Sequence, residues 1–415
     1  MSPASRKVRN VYLILMLLHT LAASFIWGIN TLFLLDAGLS NTEAFAANAF
    51  FTAGMVIFEV PTGVVADTRG RRTSYLLGTV TLAVSTLCYL LMWRVTGPFW
   101  AWALASIALG LGFTFFSGAV EAWLVDALTE SGYLREGGTL ESILAQGEIV
   151  EGVAMLGGSI AGGVIAQATN LGVPYILRAA ALVLSFICAF LLMHDTGFTP
   201  KHDKRTIDEV RSVLRCAIEH GLAHPPIRWM MLSAPFVGGV SMYAFYAMQP
   251  YLLEMYGDSR AYAVAGLAAA IVAGAQIVGG ILVPHIGRLF SRRTSVILLA
   301  TALGAVILAL IGLVHSFWWV TALLALWGVL FAALTPVRQA YLNGLIAAEQ
   351  RATVLSFDSL MASAGGAILQ PVLGKTADIW SYATSYVVCA AAQSLAIPFV
   401  WLARRERPPS DTFEH

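Results

Sequence analysis

Apolar runs of about twenty residues, broken by short polar segments, recur along this chain from end to end. A helix of that length crosses the roughly 30 Å of hydrocarbon in a bilayer. The pattern predicts spans over 11–35, 44–66, 74–93, 99–126, 140–166, 172–193, 228–253, 259–284, 294–314, 317–343, 353–376 and 382–403. The expected fold is an all-α membrane protein with twelve transmembrane helices. Strands are not expected, because no stretch alternates apolar and polar residues with period two. The longest polar stretch, 194–227, lies near the centre. It carries Lys201, Lys204, Arg205, Asp208, Glu209, Arg211 and Arg215, with Ile207, Val210, Val213, Leu214 and Ile218 at helical spacing, and it ends at His224-Pro225-Pro226. That reads as an amphipathic helix on a membrane surface. The domain plan is a six-helix bundle over 1–193, a linker over 194–227, and a second six-helix bundle with a short tail over 228–415.

Composition supports this plan. Of 415 residues, 58% are hydrophobic and only 12% charged, too apolar for a water-soluble chain of this size. The net charge of +1 hides a polarised molecule. With both termini placed in the cytoplasm, all of the 25 Lys and Arg residues fall on that side except Arg94, Arg178, Arg260, Arg338 and Lys375. The asymmetry predicts an N-in, C-in topology, and nothing in the charge points to nucleic acid. The first span follows basic residues but is too long for a signal peptide, so it is expected to stay as a membrane helix. Cys88, Cys188 and Cys389 lie in spans and Cys216 in the linker, without metal spacing or a disulfide framework. No P-loop is present, and no nucleophile–base spacing marks an intramembrane enzyme. No cofactor or metal is expected.

The densest charge sits between the second and third spans, where Gly63 to Arg72 reads GVVADTRGRR. Asp67 is followed by Arg69, Arg71 and Arg72, with Gly70 among them. The two halves also echo each other. Arg71-Arg72-Thr73-Ser74 opens span three and Arg292-Arg293-Thr294-Ser295 opens span nine, while Glu121-Ala122-Trp123-Leu124 matches Gln339-Ala340-Tyr341-Leu342. Gly287-Arg288 repeats part of the first loop, but Asp67 has no acidic counterpart there. Six-helix repeats with a site between them are an architecture of secondary transporters.

The loop, its degenerate copy, the six-plus-six layout and the central linker together resemble the major facilitator superfamily over essentially the whole chain. The loop is similar to that superfamily's signature between helices two and three. Phe58-Glu59-Val60-Pro61-Thr62-Gly63 and Ser117-Gly118-Ala119-Val120-Glu121-Ala122-Trp123 resemble a subset of bacterial members, and the chain as a whole resembles bacterial proton-coupled, drug-efflux-type members. The resemblance implies two pseudo-symmetric bundles working by alternating access in a bacterial inner membrane. It implies a conformational latch of Gly63, Asp67, Arg69, Gly70, Arg71, Arg72 and Asp126. Asp67 would meet the start of helix eleven near Thr353, where a carboxylate gains from the dipole and from unbonded N–H groups. Arg69 or Arg71 would pair with Asp126.

Ionisable residues inside spans each cost about 2.5–3.5 kcal/mol at a helix centre, so each needs a reason. They are Glu59, Glu121, Glu148, Glu151, Arg178, Arg338 and Asp358. Glu148 and Glu151 share one face of span five, with Glu151 roughly 16 Å from the cytoplasmic end. Two carboxylates so placed compete for their protons, as a coupling group requires; the alternative is hydrogen bonding to backbone or to an arginine. Glu121, Glu148, Glu151 and Asp358 are the proton-coupling candidates. Arg338 and Asp358 also suit a structural ion pair, and His19 suits packing more readily than proton relay. Gly157-Gly158-Ser159-Ile160-Ala161-Gly162-Gly163 resembles the glycine-rich motif of the superfamily's drug exporters, although close helix packing explains it equally.

The family's cavity helices are one, four, seven and ten. They offer Trp27, Asn30, Phe113, Tyr243, Tyr246, Gln249, Trp327 and Arg338 as substrate-cavity candidates. An aromatic chamber with more acids than bases favours amphiphilic, neutral or cationic substrates. The expected function is a proton-coupled antiporter exporting such compounds, monomeric in the lipid bilayer. A proton-coupled symporter importing a small metabolite and a non-transporting sensor or scaffold on the same fold are the alternatives.

Overall fold

The structure, a computed structural model, describes residues 1–133, 138–199, 215, 217–347 and 350–413. The amphipathic helix expected in 194–227 falls largely outside these residues, as does Cys216. Among the described residues every regular element is helical, apart from an isolated bridge between Arg292 and Thr412. Eleven helical stretches among the described residues are long and apolar enough to cross a membrane. The helix Arg351–Ile379 is as long as the others but falls short in hydropathy, since Asp358, Lys375 and Asp378 lie along it.

Contacts divide the chain into two compact units, one of Met1–Gly38 with Phe50–Glu209, the other of Leu39–Ala49 with Val210–His415. The first contains α1 (Pro3–Trp27), α2 (Asn30–Asp36), α3 (Asn41–Arg69, from Phe50 on), α4 (Arg71–Val95), α5 (Phe99–Thr114), α6 (Ala119–Glu130), α7 (Leu140–Ala168) and α8 (Gly172–Leu192). The second contains α9 (Pro225–Tyr256), α10 (Tyr262–Leu289), α11 (Arg293–Leu313), α12 (Phe317–Asn343), α13 (Arg351–Ile379), α14 (Tyr382–Ser394) and α15 (Ala396–Arg405), with the first turns of α3.

Pairing repeats from one unit to the other. In the first, α1 packs on α7 and α4 on α8; in the second, α9 packs on α13 and α11 on α14. Small residues make these seams. A Cβ at Gly162 would lie 2.0 Å from the carbonyl of Phe25, and one at Gly365 an equal 2.0 Å from that of Pro235. Ser24 on α1 donates to the carbonyl of Ala154 at 3.1 Å. The glycine-rich run of α7 is therefore a packing surface, because lipid gives helices no hydrophobic reason to associate and close backbone approach must supply it.

The two faces of α4 differ as a lipid-facing helix requires. Its buried positions include Ser74, Gly78, Thr79, Ser85 and Thr86, whereas Leu77, Val80, Val84, Leu87 and Leu91 form an exposed stripe. In water such a stripe would be a large unpaid apolar surface; in a bilayer it is the surface that lipid wets. The molecule is a multi-pass membrane protein.

One predicted span differs in form. Residues 99–126 were expected as a single helix, but the chain breaks between α5 and α6, and Gly118 takes φ of +67°. A side chain would resist that conformation. Ser117-Gly118 is the signal, and the break opens a new helix N-terminus in mid-span.

Candidate functional site

Inside the first unit a cavity of about 350 Å³ gathers at this break. Met16 and His19 come from α1, Tyr75 from α4, Phe113 from α5, Glu121 from α6 and Glu151 from α7, with Phe116, Ser117 and Gly118 supplied by the break itself. The α1 residues arrive together because positions three and four apart share a helix face. Glu121 stands in the first turn of α6, where the positive end of the helix favours a carboxylate. Ser117 donates to the carboxylate of Glu59 at 2.7 Å, which ties α3 to the break.

Aromatic rings form the cavity's floor. The His19 ring lies 4.2 Å from that of Phe116 and 5.8 Å, edge-on, from that of Phe113. On Phe113 the guanidinium of Arg178 sits 5.7 Å from the ring centroid. Arg178 is anchored by donating to Thr86 at 3.1 Å and to the carbonyl of Ala22 at 3.3 Å. Tyr75 shares a hydrogen bond of 2.7 Å with Ser185. The arrangement holds two acids at an aromatic wall, with a cation fixed beside Phe113.

The structure thus brings together Glu121, Glu151 and Phe113 from the sequence candidates. It adds Met16, His19, Tyr75, Phe116 and Ser117, of which sequence reasoning had treated His19 mainly as a packing residue. Glu148 is exposed and outside the cavity lining. Trp27 is half-buried, and Asn30 accepts a hydrogen bond from Tyr175 at 2.9 Å. In the second unit, Tyr243 is fully buried, donates to Ser385 at 2.7 Å and packs 4.6 Å from Phe45. Gln249 is buried too, Trp327 stacks on Phe331 at 5.8 Å, and Tyr246 meets Phe245 edge-on at 5.4 Å. Arg338 forks onto both oxygens of Asp358 and also donates to the carbonyl of Met230 at 3.1 Å. That is the structural ion pair weighed from the sequence.

The charged loop has its own geometry. Arg71 pairs with Asp67 at 2.5 Å, one turn away across Gly70. Gly70 has φ of +104°, and a Cβ there would strike the carboxylate of Asp195 at 2.3 Å. Asp195 lies over the start of α4 and accepts from the N–H of Arg72 at 2.9 Å. The second unit repeats the device: Asp411 accepts from the N–H of Thr294 at 2.8 Å and from its hydroxyl at 2.9 Å, at the start of α11. Arg71 faces the Phe198 ring at 5.8 Å, and Arg293 faces that of Phe413 at 5.1 Å. Asp195-Thr196-Gly197-Phe198 and Asp411-Thr412-Phe413 form a further internal repeat, one that the sequence reading missed. Its signal is an aspartate followed closely by phenylalanine just beyond the last helix of each half.

Many apolar helices in two repeated bundles, with acids gathered inside one of them, are features found in membrane transporters. The chain belongs to the Major Facilitator Superfamily, whose family model matches residues 12–302 and 284–415. Among solved structures it is similar to the POT family transporter PepTSo, at 12% identity and a TM-score of 0.76, covering 98% of this chain and 99% of that one. It is similar also to the nucleoside transporter NupG, at 12% identity and 0.75 over 97% and 99% of the two chains. A bacterial homolog of the human lysosomal transporter Spinster aligns at 13% identity and 0.75 over 99% of each. At these identities the likeness is one of fold. No curated protein matches the chain.

Proposed function

We propose that this superfamily transporter is a proton-coupled antiporter that exports amphiphilic, neutral or cationic compounds from a bacterial cell. The observation that carries the reading is the cavity itself, where Glu121 and Glu151 face the aromatic surface of Phe113, Phe116 and Tyr75. A lipophilic cation and a proton are alternative occupants of such a place, because each neutralises the same carboxylates. Competition between them is what exchange requires. The export direction, twelve crossings and cytoplasmic placement of both termini belong to this proposal, as does a monomer in the inner membrane. So does the latch: the loop Gly63–Arg72 with Asp126 would hold one side closed and release it as the bundles rock.

Two measurements test the reading. Glu151→Gln in proteoliposomes should abolish proton-driven flux while leaving ligand binding measurable; wild-type flux in that variant would rule out Glu151 as the coupling acid. A thermal-shift screen against cationic, neutral and anionic compounds at two pH values should favour cations, and more so at the higher pH. Inward co-movement of substrate and protons would instead indicate a symporter, and binding without flux a sensor.

A further inference from the structure

Beneath the cavity, one turn before Met16 on the same face of α1, lies Tyr12. Its side chain is only 3% exposed, yet neither Tyr12 nor Glu148 lines the cavity. The phenol is seated against α7 at Gly147: a Cβ there would fall 2.5 Å from the hydroxyl oxygen and 2.8 Å from a ring carbon. Any other residue at 147 would push the hydroxyl away. Glu148 follows Gly147 directly, and Glu151 stands one turn further along α7. Glu148 and Glu151 thus flank the place on α7 where the Tyr12 hydroxyl sits, and Glu121 lines the cavity together with Glu151. Two of those carboxylates line the cavity and the third is exposed outside it.

A phenol can donate one hydrogen bond and accept another at the same oxygen. We propose that Tyr12 is the relay that connects Glu148, outside the cavity, with Glu151 and Glu121 inside it. In each transfer Tyr12 gives its O–H proton to the ionised carboxylate on one side and takes a proton from the carboxylic acid on the other. One proton moves and the phenol is regenerated, with no tyrosinate left behind. Gly147 is the positioning residue, since it makes the space that brings the hydroxyl to α7. The other ionisable groups nearby are otherwise engaged. Arg178 on α8 is anchored beside Phe113, Glu59 on α3 accepts from Ser117, and His19 packs against Phe116 two turns further along α1.

The inference rests on the proton-coupled reading above, and one experiment separates the two. Proteoliposomes of wild type, Tyr12→Phe, Gly147→Ala, the double variant and Glu151→Gln are given an imposed pH gradient. Proton movement is followed across a pH series, and tetraphenylphosphonium affinity is measured in parallel. Tyr12→Phe should bind the cation as wild type does but move protons about tenfold more slowly, with a changed pH profile. Gly147→Ala should reproduce that loss by displacing the hydroxyl, and the double variant should be no worse than either. If Gly147→Ala does not fold, Tyr12→Phe decides alone, because it removes only one oxygen. Wild-type proton movement and pH profile in Tyr12→Phe would overturn the relay and leave the transport reading intact. A wild-type protein that moves no protons would overturn both.

Discussion

Asp195 accepts a hydrogen bond from the backbone N–H of Arg72 at 2.9 Å, and Asp411 does the same for Thr294 at 2.8 Å. Both N–H groups belong to the second residue of their helices, α4 and α11, and both aspartates come from the segment after the last helix of a bundle. A helix leaves its first N–H groups without partners, and an ionised carboxylate satisfies them while meeting the positive end of the dipole. The C-terminal tail is thus part of the second unit's packing. Phe413 joins the same core as Met230 and Tyr341.

Asp411→Ala should therefore destabilise the protein by about 1–2 kcal/mol, the usual loss for a cap. Removal of the tail after Arg407 should cost at least as much, because the Phe413 contact with Arg293 goes too. Melting curves in detergent check both, and an unchanged midpoint would show the tail to be dispensable.

The Arg338–Asp358 pair makes a different prediction. Removing one partner strands a charge in a low-dielectric interior, so Asp358→Ala should cost about 3–5 kcal/mol. Replacing both by apolar residues, Arg338→Met with Asp358→Leu, should recover most of that loss. If the double variant transports normally, neither residue handles substrate or protons.

At the α1–α7 seam the glycines are not equivalent. Gly162→Ala would drive its methyl into the Phe25 carbonyl, whereas a Cβ at Gly157 meets nothing within 4 Å. The first change should cost about 1–3 kcal/mol through overpacking, and the second should be nearly neutral. Equal effects would indicate that the run serves something other than this seam.

Asp378 provides a pH test in the second unit. It lies past the predicted span 353–376 and accepts from the N–H groups of Asn41 and Thr42 at 3.0 and 2.8 Å, capping the start of α3. Burial pushes its carboxyl up, but the hydrogen bonds from Thr42 and Asn41 outweigh that and hold it below the ordinary value of 3.8. A carboxylate depressed on folding contributes stability that is complete above about pH 4 and is lost as pH falls through the folded value. The difference in melting temperature between wild type and Asp378→Asn should shrink from about pH 6 to about pH 3. A constant difference would mean that the cap works without its charge.

Much of this molecule was determined by sequence alone, because in a membrane hydrophobicity and length are themselves the structural constraint. Backbone groups in lipid must bond within their own helix, so each long apolar run implied a helix. The repeat of Arg-Arg-Thr-Ser announced two related bundles, and the loop at Asp67 announced the superfamily. Glu121 and Glu151 stood out as acids in apolar runs, which have few reasons to contain them. What only the tertiary structure decided is which faces meet. Helical periodicity tells which residues share a face but not what that face touches. Lipid-facing and buried positions are both apolar, so Tyr243 and Phe113 looked alike until one proved to be core and the other cavity wall. Tyr12 was invisible for the same reason. Its place depends on a glycine 135 positions away in sequence, where the absence of a side chain makes room for a hydroxyl. The caps by Asp195 and Asp411 likewise needed the chain to return to helices it had left long before.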